Sequence, residues 1–248
     1  MVLRPLGKTG LKVSPVSFGA FKIGRNEKTK YEQSYPLPTE EETSRLLNGV
    51  LDLGINLIDT APAYGLSEQR IGRHISSRRR EFILSTKIGE MFEHGKSTYD
   101  FSAKAIANSF ERSLTRLKTA SVDFLFIHSD GREVAAETIA AIQNLKKQGK
   151  TRFIGLSGKT VEGARAALKW ADALMIEYHP RDKSHEEIIE KAGEMGVAIM
   201  VKKPLASGQI PAQEAIPFIL KNPRVATLVI GGLNLEHIKQ NLRIASGV

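Results

Sequence analysis

From residue 39 onward, apolar positions fall alternately at helical spacing and in short unbroken runs, the pattern of helices and buried strands in turn. The segment "TEEETSRLLNGVLDLG" opens on a capping-box pattern, Thr39 to Glu42, sets Leu46, Leu47, Val50 and Leu51 on one face, and stops at Gly54. The run "INLID" follows as a strand. The same order returns in "ETIAAIQNLKKQG" before "TRFIGLS" and in "SHEEIIEKAGEMG" before "VAIMVK", each helix closing on a glycine that can take the left-handed cap. Strands are expected at "VSFG", "NLID", "FILSTK", "DFLFIH", "RFIGLS", "LMIEY", "AIMVK" and "TLVIG", each with a helix after it, a short one lying within "AIPFILKN". Eight βα units in 248 residues predict an α/β fold of the closed (β/α)8 TIM-barrel type, since a doubly wound open sheet usually stops at about five to seven strands. The leading "LRPLGKTGLKVSPVS" predicts an N-terminal β-hairpin turning near Lys8 to Gly10 and covering the bottom of the barrel. No linker or low-complexity stretch divides the chain, so residues 1-248 read as a single domain.

Composition narrows the classes of function. A chain with 41% hydrophobic and 25% charged residues can bury one large core. No apolar stretch approaches the ~20 residues that span a bilayer, and "MVLRPLGKTG" lacks the apolar centre of a secretory signal, so a cytoplasmic protein is expected. The absence of cysteine excludes disulfides, thiolate zinc sites and cysteine nucleophiles. The net charge of +9 invites an anionic partner. Apart from "SSRRREF" the cations are spread out, without the interleaved aromatics of a single-strand nucleic-acid surface; a phosphate-bearing small molecule suits the charge better. Neither nucleic acid nor membrane is expected as a partner, and the chain reads as a monomer.

In such a barrel the reactive face lies at the C-terminal ends of the strands. Asp59 closes the second strand, with Tyr64 in its loop; Lys87 closes the third, His128 the fourth, Ser157 the fifth, and Glu177 with Tyr178 the sixth. Singly, a turn cap, a solvated lysine or a satisfied buried histidine explains each. Together on one rim, an acid, a cation, a phenol and an imidazole suggest proton transfer to an oxygen. A free tyrosine, with a pKa near 10, is a poor acid at neutral pH until a nearby cation favours its phenolate. Lys87 can supply that cation, Asp59 can hold it, and His128 can donate a hydrogen bond to the same substrate oxygen.

With those residues placed, the chain resembles the aldo-keto reductase family. "DTAPAYG" is similar to the family's Asp-and-Tyr segment, "LSTKIG" to its Lys strand, "VDFLFIHSDG" to its His strand, "LGKTGLKVSPVSFGA" to its hairpin and first strand, and "GKTRFIGLSG" to its fifth strand. The resemblance implies a barrel that binds NAD(P)H without a Rossmann fold and passes hydride to an aldehyde or ketone, with Tyr64 protonating the nascent alkoxide. It also implies that Ser157 and Glu177 hold the nicotinamide carboxamide. Here the chain departs: Gly158 follows the serine where Asn is common, and Glu177 stands where Gln is common. An ionised Glu177 accepts from the amide nitrogen but cannot donate to its oxygen. In "VKKPLASG", Lys202, Pro204 and Leu205 fall in the segment that often sets a tyrosine against the nicotinamide, with Lys202 in that slot. "VIGGLNLEHIKQN" is similar to the closing strand, turn and helix at the adenosine phosphate: Gly231 and Gly232 open the backbone, Asn234 caps a helix starting at Leu235, His237 is a weak grip on a 2′-phosphate, and Gln240 and Asn241 face the adenine. The positive balance favours NADPH, with NADH close behind. Brief loops, "HSDGRE" and "LASGQIPAQEA", together with a short C-terminal end, predict a shallow, open pocket that accepts varied or bulky carbonyl substrates with modest affinity.

Two other readings compete. A metal-dependent barrel hydrolase would use His128, His179, Asp182 and Asp59 as ligands, but leaves Lys87 and Tyr64 without a task and lacks a His-x-His pair after the first strand. A non-catalytic dinucleotide-binding redox sensor or assembly subunit keeps the same residues without turnover. Among the remaining residues, Trp170 reads as helix-to-barrel packing and "SSRRREF" as a solvated helix end. Phe21, Tyr31, Tyr35 and Phe92 are candidates to line the pocket, and Arg181 with Asp182 suggests a local ion pair.

Overall fold

Thr39 and Glu42 make both bonds that their spacing predicts: the Thr39 amide donates to Glu42 Oε2 at 2.8 Å and the Glu42 amide to Thr39 Oγ1 at 3.2 Å. The structure, a computed structural model, describes residues 1–29 and 34–247. Its elements in chain order are β1 (Arg4–Pro5), β2 (Lys12–Val13), β3 (Val16–Gly19), α1 (Glu40–Asp52), β4 (Leu57–Asp59), α2 (Ser67–His74), β5 (Ile83–Ile88), β6 (Glu90–Glu93), β7 (Lys96–Tyr99) and α3 (Ala103–Leu117). Then come β8 (Val122–His128), α4 (Ala136–Lys147), β9 (Thr151–Ser157), α5 (Val161–Ala167), β10 (Ala173–Glu177), α6 (Glu186–Met195), β11 (Ala198–Lys202), α7 (Ala212–Leu220), β12 (Val225–Ile230) and α8 (Leu235–Ser246). The three helix-closing glycines take left-handed backbone, with φ of 82° at Gly54, 72° at Gly149 and 73° at Gly196.

The eight strands β3, β4, β5, β8, β9, β10, β11 and β12 pair in parallel and close on themselves, β12 meeting β3 through Leu228–Val16 and Ile230–Phe18. This is the expected (β/α)8 barrel. Register brings the polar strand ends to one rim: Asp59 lies beside Ser85, His128 beside Ser157, and Glu177 beside Lys202. Alternation along each strand divides the core in two. Phe124 and Phe126 point into the barrel with Leu57, Met175 and Met200, while Leu125 and Ile127 face the helices with Leu47, Phe110 and Ile142. Trp170 packs partly buried against the outer core, as its position predicts.

The N-terminal hairpin plugs the bottom. Leu6 is fully buried in the inner core, the Arg4 guanidinium donates to the carbonyls of Leu220, Asn222 and Val225, and the Lys8 amide donates to Gly196 O at 2.9 Å. A second hairpin, β6–β7, has no clear alternation in the sequence. Its two-residue loop carries His94 at φ 50° and Gly95 at φ 73°, the left-handed pair of a type I′ turn, with histidine where Asn or Asp is the usual signal. The "SSRRREF" segment is less solvated than expected: Arg78 pairs with Asp52 and Glu81, Arg79 pairs with Asp123 at 2.8 Å, and Arg80 is exposed. Among the described residues no helix is long and apolar enough to cross a membrane.

Docking of the plug gives a direct test. Gly7 sits at φ +52°, and a Cβ there would lie 2.5 Å from Gly196 O and 2.7 Å from Ala198 N, both backbone. Gly7→Ala is therefore expected to destabilise the fold by at least about 1–2 kcal/mol, read as a lower urea midpoint at unchanged slope. An unchanged midpoint would show that the hairpin does not bear on the barrel floor.

Candidate active site

Two residues beyond the register pair Asp59–Ser85, Lys87 reaches back across the rim. Its ammonium lies 2.6 Å from Asp59 Oδ2 and 2.8 Å from Oδ1, and donates to Thr60 O at 2.9 Å, while Ser85 Oγ donates to Asp59 Oδ1 at 2.7 Å. Both charged residues are almost fully buried, Lys87 at 1% exposure and Asp59 at 2%. Burial alone pushes Lys87 down, but the attraction of Asp59 and Tyr64 outweighs it and holds the ammonium above its usual range. Removing one partner of such a pair typically costs about 3–5 kcal/mol, because the other charge is left stranded.

Tyr64 ends the short turn Pro62–Tyr64, and Lys87 Nζ lies 4.8 Å from the centre of its ring. Burial raises the phenol above its ordinary value; Lys87 pulls it back, and Asp59 opposes Lys87. Lys87 thus acts in the direction its place in the sequence suggests, favouring the phenolate, but burial outweighs it. Burial, with Asp59 set against Lys87, keeps Tyr64 protonated at neutral pH.

His128, at the end of β8, presents its ring edge to Tyr64 with centroids 6.1 Å apart. Its Nδ1 is 2.7 Å from Glu90 Oε2, although the approach angle falls short of a regular hydrogen bond. Burial pushes His128 below its usual value, with Lys87 and Lys202 adding to the effect and Glu90 opposing it. For Glu90, burial pushes upward and is outweighed by His128, Ser97 and Tyr99, which bring the carboxyl down to about 2. In a neutral His128 the contact with a carboxylate assigns the hydrogen to Nδ1, which leaves Nε2 an acceptor; donation from Nε2 to a substrate oxygen requires the imidazolium. Sequence reasoning missed Glu90. It lies beyond the Lys87 strand in a segment that reads as loop, and only the β6–β7 hairpin folds it back under His128, with Ser97 Oγ donating to it at 2.7 Å.

On the other side of the rim, Lys202 Nζ donates to Gly158 O at 2.7 Å and lies 3.2 Å from Ser157 Oγ. Lys203 Nζ meets Glu177 Oε2 at 2.5 Å, and His179 Nε2 is 3.4 Å from Glu177 Oε1. Burial pushes Glu177 up, but Lys203 and His179 outweigh it and keep the carboxyl below its usual range. Burial and the charges of Lys203, Lys87 and Lys159 lower Lys202 to about 7, against the pull of Glu177. The following turn holds Lys203, Ala206 and Ser207 at φ of 48°, 45° and 60°, a strained backbone for side-chain-bearing residues.

A cleft of about 980 Å³ joins these groups. Asp59, Tyr64, His128, Ser157, Gly158, Glu177, Lys202, Pro204, Leu205 and Gly231 line it, and Lys87 lies beneath. Gly232, Asn234, His237, Gln240 and Asn241 do not line it; they run along the start of α8, where Asn234 Oδ1 accepts from the Glu236 and His237 amides. Phe21 lines the cleft and meets Tyr64 edge-on at 5.1 Å. Tyr35 and Phe92 instead hold Arg25, the first through a 2.6 Å bond to its carbonyl and the second beneath its guanidinium at 3.2 Å. Tyr31 lies outside the described residues. The four side chains of the hydrolase reading have other partners: Asp59 meets Lys87, His128 meets Glu90, His179 Nε2 lies 3.4 Å from Glu177 Oε1, and Asp182 Oδ1 accepts from the Ser184 amide. Among the described residues no three His, Asp or Glu side chains converge to hold a metal. Asp182 accepts from the Ser184 amide rather than pairing with Arg181.

Comparison with known proteins identifies the family of the chain. Residues 15–214 match the Aldo/keto reductase family. L-galactose dehydrogenase of Arabidopsis thaliana is 33% identical over 227 residues, which span 85% of this chain and 67% of that protein. NADH-specific methylglyoxal reductase of Escherichia coli is 28% identical over 226 residues, 82% of this chain and 67% of that protein. A crystal structure of a Pseudomonas aeruginosa protein described as an aldo-keto reductase superposes with a TM-score of 0.91 at 39% identity, covering 99% of this chain and 95% of that one.

The Glu90 contact is measurable apart from turnover. Glu90→Gln removes the charge that opposes burial, so the His128 titration followed by NMR is expected to move further below its present position. A titration that stays in place would show that the carboxylate does not act on the imidazole.

Proposed function

This chain belongs to the aldo/keto reductase family, and from that premise we propose that it reduces aldehydes or ketones to alcohols with a nicotinamide dinucleotide. The observation that carries the reading is the buried Asp59–Lys87 pair beneath Tyr64, at the floor of a cleft with room for a cofactor and a carbonyl compound. A reduced nicotinamide held in the cleft would supply the hydride. Tyr64 holds a proton at its phenol oxygen, because burial keeps it there, and gives it to the oxygen that becomes an alkoxide, a far stronger base than phenolate. Lys87 then stabilises the phenolate, and Asp59, Ser85 and Thr60 fix Lys87 where that charge appears. A protonated His128 donates from Nε2 to the reacting carbonyl oxygen; in its neutral form the same nitrogen can only accept from the hydroxyl of the alcohol product.

The residues present fit such a cofactor in part. Ser157 and Glu177 are assigned to the carboxamide, Glu177 accepting from its amide nitrogen while Lys203 neutralises the carboxylate. Lys202, Pro204, Leu205 and Gly231 run along the cleft, and Gly232, Asn234, His237, Gln240 and Asn241 would meet the adenosine end at the head of α8. The charge of +9 favours NADPH. One relative is named for NADH, and α8 offers a 2′-phosphate the exposed His237 in its first turn rather than an arginine, so both cofactors belong in the test. The relatives are named as a dehydrogenase and a reductase, the same hydride transfer in opposite senses. Reduction is the sense in which a persistently protonated Tyr64 is the useful group. On this reading the chain acts as a cytoplasmic monomer on varied or bulky carbonyl compounds.

Tyr64→Phe is expected to retain cofactor binding and to lower carbonyl reduction by at least about a hundredfold. A near-normal rate in this variant would refute the assignment of the proton donor. Lys87→Met should impair the same step and flatten its pH dependence. Fluorescence titration with NADPH and NADH, followed by stopped-flow mixing with small aldehydes and ketones, tests the premise itself: tight binding without oxidation by any carbonyl would favour a dinucleotide sensor.

A further inference from the structure

One amine in the cleft takes no part in the proposed proton transfer. Lys202 stands at the end of β11 and lines the cleft together with Tyr64 and His128. Its Nζ is fixed by two contacts to the β9 end, at Gly158 O and Ser157 Oγ. Those acceptors occupy two of the three N–H directions of the amine. Loss of the third proton leaves a lone pair on the side away from them, in a cleft that opens to solvent.

We propose that Lys202 is an amine nucleophile that adds to aldehydes and unhindered ketones entering the cleft and holds them as an imine. The nitrogen lone pair forms a bond to the carbonyl carbon as the C=O π pair moves to oxygen. A proton passes from nitrogen to that oxygen, giving a neutral carbinolamine. The hydroxyl then leaves with a second proton as water and the nitrogen releases its remaining hydrogen, so that amine plus carbonyl gives imine plus water with no oxidant or reductant. Tyr64 and His128 in the same cleft are the groups at hand to pass those protons; the charge of Lys202 already acts on His128.

The environment favours the free amine. Lys203, Lys87 and Lys159 repel a third proton on Lys202, Glu177 attracts it, and Lys203 already occupies one oxygen of Glu177. With burial added, Lys202 falls to about 7, so about half of it is neutral at pH 7. An ordinary lysine, near 10.4, is then neutral in roughly one molecule in 2,500. The lower basicity makes each free amine somewhat less nucleophilic, which offsets only part of that gain. The inference needs no dinucleotide and no hydride transfer, so it and the reductase reading stand or fall separately.

The test uses the full chain at pH 7 with propionaldehyde as probe and sodium cyanoborohydride to trap any imine as a secondary amine, followed by peptide mapping. Lys202 is expected to be alkylated at least about tenfold faster than the exposed Lys104 and Lys169. Lys202→Arg, which keeps the cation but removes the amine, should abolish the fast phase and leave the slow labelling elsewhere unchanged. Labelling of Lys202 in the wild-type protein no faster than Lys104 and Lys169 would overturn the proposal, as would a fast phase that survives in Lys202→Arg.

Discussion

A carboxylate and an ammonium, each almost wholly removed from water, hold the rim of this barrel in one arrangement. Neither Asp59 nor Lys87 is tolerable there alone, since a lone buried charge costs several kcal/mol. Together they satisfy one another, with Ser85 Oγ and Thr60 O taking up the remaining hydrogen-bonding capacity. The pair therefore fixes the ends of β4 and β5, and with them the turn that carries Tyr64. Chemistry and stability meet in the same contact: the device that makes the lysine affordable inside the protein also weakens the field it exerts on the phenol. Burial adds to that effect and is the larger of the two, so the phenol of Tyr64 stays protonated.

Opposite that pair the rim is organised by cations. Lys203 neutralises Glu177, and Lys202 bonds to the end of β9 where its neighbours keep it only weakly basic. A cleft with one wall tuned to keep a proton and the other tuned to shed one is chemically asymmetric. The two walls are not isolated from one another, because the charges of both Lys87 and Lys202 reach His128 and favour its neutral form, with Glu90 set against them. The protonation state of the imidazole thus depends on its burial first and then on charges that arrive from β5, β6 and β11. The strained turn at Lys203, Ala206 and Ser207 belongs to the same wall, and the fold supports three side-chain-bearing residues there in left-handed backbone.

Much of this was legible in the chain. Strand ends depend on local hydrophobic runs, and a parallel barrel places every C-terminal strand end on one face, so Asp59, Tyr64, His128, Ser157 and Glu177 were found by position alone. The capping box at Thr39 and the three helix-closing glycines were equally local, resting on bonds within a few residues. Other features were hidden for definite reasons. His94 disguised the turn that brings Glu90 to His128, and the contacts of Arg78 and Arg79 bridge elements far apart in sequence.

The sequence by itself determined the succession of eight strands and helices, the rim on which reactive groups would gather and the kinds of chemistry available there, because periodicity and strand-end position are properties of neighbouring residues. Only the tertiary structure decided how those groups behave. Burial sets the direction in which Tyr64, His128 and Lys202 move from their ordinary proton affinities, and the charges that modify each arrive from strands that are remote along the chain. Proton affinity inside a protein is a sum over surrounding space, and that sum exists only once the barrel has closed.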